Sequence, residues 1–137
     1  MKKKGGFTLT ELIIVAIAIG IIAGFAVPNY IRLLELAHQK EAIDQLTQIH
    51  AAEQIYRIKN NSYWPWGSAW DNLDYINRNL NLKILSNGMT YTCRGNGTGV
   101  VFTCRAVRQA PATSFTITVT QAAISSTNPS CTAGTCP

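Results

Sequence analysis

The sequence predicts an α+β fold: a long N-terminal helix, half transmembrane and half amphipathic, packed on a small antiparallel sheet. Three observations point there. Leu12 to Val27 is an apolar run without one polar side chain; residues 30–59 contain neither Gly nor Pro and mix Leu, Ala, Ile and Gln with charges; and residues 114–120 alternate Phe115, Ile117 and Val119 with threonines. The first two patterns are helical and the third is that of a half-buried strand. The chain therefore divides into a basic hexapeptide (1–6), an apolar helix (7–31), an amphipathic stem (32–60) and a globular head (61–137).

With 137 residues, 47% hydrophobic and 14% charged, the chain suits one small domain and excludes a large multidomain enzyme. Its net charge of +5 includes Lys2, Lys3 and Lys4; without them nine basic groups face seven acidic ones, which weakens a nucleic-acid reading from bulk charge. All seven acidic residues precede Tyr75, whereas Arg78, Lys83, Arg94, Arg105 and Arg108 follow it.

No charge lies between Glu11 and Arg32. As a helix rising ~1.5 Å per residue, this stretch spans the ~30 Å hydrocarbon core of a bilayer. The small residues Gly5 and Gly6 precede the apolar run, where a secretory signal would place its cleavage site after it, so a cut behind Gly6 leaves the helix on the product. The lysines keep the N-terminus cytoplasmic and everything after Arg32 outside the inner membrane. Glu11 is the sharpest feature, because a carboxylate inside a membrane helix costs about 2.5–3.5 kcal/mol. Its natural cation is a new α-amine at Phe7, its own or a neighbouring subunit's; alternatively, Glu11 caps its helix at the membrane surface.

Lys-Lys-Lys-Gly-Gly-Phe-Thr-Leu-Thr-Glu followed by a long apolar helix resembles the class III leader of type IV pilins and type II secretion pseudopilins. The resemblance implies a type IV pilin-like fold, cleavage after Gly6 by a membrane aspartyl prepilin peptidase, and N-methylation of Phe7 by the same enzyme. Glu11 falls on the family's assembly glutamate, and Phe7, Gly20, Pro28 and Tyr30 also match. Implied partners are further copies in a helical filament, a platform protein, an assembly ATPase, minor pilins and a secretin. The implied location is the inner membrane before assembly, and an extracellular pilus or periplasmic pseudopilus afterwards.

Gly20, Gly24 and Pro28 weaken the helix, so a kink or loosening is expected near residues 20–28. In the stem, Ala42, Leu46, Ile49 and Tyr56 share one side, and Ile55 and Ile58 widen the apolar surface. His38 and His50 have no cysteine or acidic cluster beside them, so no metal site is assigned. Asn60-Asn61-Ser62 ends the helix, and Trp64, Trp66 and Trp70 lie in an irregular connection, as core anchors or as an exposed patch for sugar, surface or bases. The stretch Tyr56 to Tyr63 is similar to the helix end of major pseudopilins.

Residues 71–85 suggest a short helix through Leu73, Ile76 and Leu80, and strands are expected at 89–93, 99–105 and 114–120, with a hairpin tip at 94–99. Four cysteines, all beyond the membrane segment, suit an oxidising compartment. Of the three possible pairings, Cys93–Cys104 and Cys131–Cys136 are chosen because each is local.

The leading function is a structural subunit of a type IV pilus or pilus-like filament, serving adhesion, motility or DNA uptake. The alternative is a major pseudopilin of a type II secretion system. Those pseudopilins hold calcium through acidic residues of a C-terminal loop, and this chain has no Asp or Glu after Asp74. A membrane-anchored ligand-binding module is the distant third. No catalytic constellation and no cofactor is expected, and DNA binding has only spread positive charge behind it.

Overall fold

The computed structural model describes residues 6–109 and 114–132. Helix α1 runs from Leu9 to Asn60 and α2 from Leu73 to Asn79; four strands follow, β1 (Thr90–Gly95), β2 (Phe102–Gln109), β3 (Ser114–Thr120) and β4 (Ser130–Thr132). The chain forms two compact units, Met1–Leu36 and Ala37–Pro137.

In the first unit every described residue up to Leu34 is exposed. No unwinding interrupts the helix at residues 20–28, where it runs on with Pro28 inside it. Pro28 withholds one N–H from the preceding turn, but Asn29 Nδ2 adds a donor to the carbonyl of Phe25 at 3.2 Å. Apart from the helix's own neighbouring backbone, no atom lies within 4 Å of a Cβ built on Gly20 or Gly24.

The second unit owns the hydrophobic core. Within α1, Gln39, Ala42, Leu46, Ile49 and Glu53 recur at alternating steps of three and four, and all are buried. The apolar members of this stripe share one cluster with Tyr91 and Cys93 of β1, Phe102, Cys104 and Ala106 of β2, and Phe115, Ile117 and Val119 of β3. Tyr56 is partly buried against that cluster, whereas Ile55 and Ile58 remain exposed.

The sheet is antiparallel throughout, in the order β1-β2-β3-β4. Its alternation is the period of two that the sequence shows in β3: apolar side chains turn to the core and threonines turn away. β2 continues to Gln109, beyond the predicted end at residue 105, because its partner β3 supplies a ladder up to Gln109↔Ser114. β4 has no counterpart among the predicted strands; three residues are too few to show a period.

The helix predicted within 71–85 is shorter, only Leu73–Asn79. Asn72 caps it, accepting from the backbone N–H of Asp74 (3.1 Å) and Tyr75 (3.3 Å). Asn81 stops it by taking a positive φ of 53°, and Asn77 clamps the return through the N–H and carbonyl of Ile84. The connection from residue 61 to 72 lies on the β1–β2 hairpin. Tyr63 N–H donates to the Gly99 carbonyl at 2.7 Å and Gly95 N–H to the Gly67 carbonyl at 2.8 Å. Gly95 is required there, since a Cβ would sit 1.8 Å from the Pro65 oxygen.

Candidate functional site

The start of α1 is a reciprocal cap. Thr8 Oγ1 accepts from Glu11 N–H at 3.3 Å, while Glu11 Oε2 accepts from Thr8 N–H at 2.9 Å and from Thr8 Oγ1 at 2.8 Å. Thr8-Leu9-Thr10-Glu11 is thus a capping box, in which threonine and glutamate satisfy two of the free N–H groups that every helix start leaves. Both bonds to the carboxylate fall on Oε2, and Oε1 accepts none from the described residues. The carboxylate is held by its own helix and still keeps one oxygen open. Thr8, the cap, stands two residues beyond Gly6, so all atoms of the box lie on the far side of the expected cut.

The other candidates are distributed along the same exposed helix. Phe7 is 84% exposed, immediately before the cap; Gly20 and Pro28 lie on exposed turns further along. This helix is long and apolar enough to cross a membrane.

In the head, Cys93 and Cys104 form the predicted disulfide across a directly opposed pair of β1 and β2, with both sulfurs in the core. Cys131 lies on β4, and its expected partner Cys136 lies outside the described residues. The two histidines are used separately. His38 Nδ1 is 3.8 Å from a Glu41 oxygen, and His50 Nε2 lies 2.9 Å from the Ala122 carbonyl with its ring near Phe102. The tryptophans divide between both readings. Trp64 is buried and Trp66 is 59% exposed, while Trp70 is half-buried beneath Arg94 and Arg105.

Glu53 is a buried acid that the sequence reading did not single out. It is fully enclosed in the stripe of α1 that faces the core; Oε2 accepts from the Trp64 N–H at 3.0 Å and Oε1 is buried without a partner. Burial pushes its carboxyl up from the usual 4.5 to about 8, against the smaller downward pull of the Trp64 N–H. A signal existed: Glu53 continues the spacing of Ala42, Leu46 and Ile49, a polar residue on an apolar stripe.

The family described as "Prokaryotic N-terminal methylation motif" matches residues 1–27. The chain is 36% identical over 63 residues to the type II secretion system core protein G of Vibrio cholerae, covering 46% of this chain and 43% of that protein. It is 33% identical over 61 residues to the Escherichia coli protein of the same name, covering 44% and 42%. Over 61 residues it is 38% identical to the type IV major pilin protein PilA of Myxococcus xanthus, covering 44% and 28%. The chain thus spans less than half the length of these curated relatives. No solved structure gives a significant match. The long apolar helix and the small antiparallel sheet are consistent with a pilin-like α+β fold, and the methylation motif covers the start of that helix, as far as residue 27. Over 61–63 residues the chain is similar both to secretion core protein G and to a type IV pilin.

Proposed function

We propose that the chain is a structural subunit of a type IV pilus or pilus-like filament, cut after Gly6, N-methylated at Phe7 and polymerised through α1. The observation that carries this reading is a fully exposed apolar helix with a single acid at its head. So large an apolar surface needs lipid or other apolar helices around it. A bilayer supplies the first before assembly, and neighbouring copies supply the second afterwards. Addition of identical subunits through non-identical surfaces does not close, which is the geometry of a fibre.

Glu11 has two parts in this scheme. Oε2 holds the first turn through Thr8, and Oε1 receives the α-amine of a neighbour's Phe7. Partnering the open oxygen inside hydrocarbon sets the axial register between copies. Gly20 and Gly24 offer helix surface on which another helix can approach closely. The prepilin peptidase, a platform protein, an assembly ATPase and a secretin are the proposed partners, and the role is structural rather than catalytic.

A major pseudopilin is the second reading, favoured by the identity to secretion core protein G in two species. Shearing cells, collecting extracellular fibres and measuring the intact mass and N-terminus of the subunit separates the two. Abundant fibres whose chain begins at methylated Phe7 support the pilus. A processed chain confined to the membrane fraction, with secretion failing in its absence, supports the pseudopilus. An uncut chain overturns both.

A further inference from the structure

The sheet face turned away from the core carries a charge arrangement that filament assembly through α1 does not use. Thr92 pairs with Arg105 and Arg94 with Thr103, so the two arginines sit diagonally on neighbouring strands of one face. Trp70 lies with them, its backbone neighbour Asp71 bridged to Cys93 on the edge of β1. The guanidinium carbon of Arg105 is 3.9 Å from the centre of the Trp70 ring and that of Arg94 is 4.6 Å from it. Arg105 Nε also donates to Thr92 Oγ1 at 3.2 Å. Among the described residues neither guanidinium forms an ion pair. Two cations thus share one indole with no carboxylate at ion-pair distance among the described residues, and the ring offsets only part of their repulsion.

A cavity of about 260 Å³ opens beside Arg94, lined by Ser68, Arg94, Gly95, Asn96, Val101 and Thr103. It is smaller than the ~300–1,000 Å³ of a drug-sized site and suits one ring. Its hydroxyls and amide both donate and accept, as sugar hydroxyls require, whereas phosphodiester oxygens only accept. Guanidinium edges match a carboxylate with two parallel hydrogen bonds. We propose that this face binds an acidic polysaccharide, with a uronate carboxylate on Arg94 and Arg105 and its sugar ring in the adjoining cavity.

The test uses the detergent-solubilised full chain, so its failure leaves the filament reading untouched. Polygalacturonate, neutral amylose and oligodeoxythymidylate are the probes, each at low and high salt. The expected result is salt-sensitive binding to polygalacturonate at least tenfold tighter than to either other probe. Arg94→Gln and Arg105→Gln each weaken it at least tenfold, while Arg78→Gln, an exposed cation on α2, changes it less than twofold. If Arg105→Gln unfolds through loss of the Thr92 bond, Arg94→Gln, followed by circular dichroism, carries the same reading. Equal or tighter binding to the oligonucleotide, equal binding to amylose, no binding at all, or an equal loss from Arg78→Gln overturns the proposal.

Discussion

The two units of this chain handle apolar surface in opposite ways. From Ala37 onward, apolar residues of α1, α2 and the sheet close on one another around Leu46, Ile49, Phe102 and Ile117, all at most 1% exposed. Up to Leu36 the chain is richer in apolar side chains, yet none of the described ones is buried. A region that buries its own surface is stable as a monomer; one that leaves it open is completed by lipid or by other copies. On the proposed filament reading, folding and assembly fall to different residues, and substitutions should separate them.

The largest separation is expected at Glu11. Glu11→Ala should still be cut and methylated, leave head unfolding unchanged, and lower incorporation into sheared fibres at least tenfold, read by immunoblot of fibre and membrane fractions. Glu11→Gln sharpens the point, because glutamine closes a capping box as glutamate does but carries no charge. Failure of both variants assigns the role to the charge; normal assembly of Glu11→Gln assigns it to the cap. Normal assembly of Glu11→Ala would break the proposed mechanism.

Glu53 should produce the largest effect confined to the head. Its folded carboxyl titrates near 8 rather than 4.5, so between those values the folded head holds a proton that the unfolded chain has released. Stability is then highest below about pH 4.5, falls as pH rises to about 8, and levels beyond. The fall is on the order of 5 kcal/mol. Urea unfolding across pH 5–9 measures it, and Glu53→Gln should flatten the curve. A wild-type curve that rises over this range would contradict the assignment.

Replacing Cys93 and Cys104 together by alanine should cost the head about 3 kcal/mol, from the closed loop between them. Calorimetry of the oxidised protein and the double variant reads this, and the membrane insertion of the first unit should not change. The smallest effect is expected at Tyr91, whose hydroxyl is buried without a partner and held above its usual pKa, by burial first and by Glu41 second. Tyr91→Phe removes an unsatisfied polar group and should shift stability by less than about 1 kcal/mol, without loss.

The legible parts were those governed by periodicity or by a compact motif. The apolar run, the end of α1 at Asn60, the alternation in β3 and the Cys93–Cys104 pair all follow from local spacing. What was not legible depends on partners distant in sequence. β2 is extended by β3, α2 is shortened by the left-handed Asn81, and Trp70 is placed by arginines 24 and 35 residues away. Capping by Glu11, one of the two roles that the sequence offers for this acid, is local as well and takes the Thr-x-x-Glu spacing of a capping box.

The flanks of the sheet carry a consequence for a protein meant to exist at high local concentration. On the β1 side, Asp71 pairs with Cys93 through both of its backbone groups, at 2.7 and 3.0 Å. On the other side β4 is only three residues long. Among the described residues neither margin offers a long row of free N–H and C=O groups on which another strand can template itself. On the proposed filament reading, crowded heads are thereby kept from zipping into amyloid-like stacks, and the helix is left as the route by which copies associate in register.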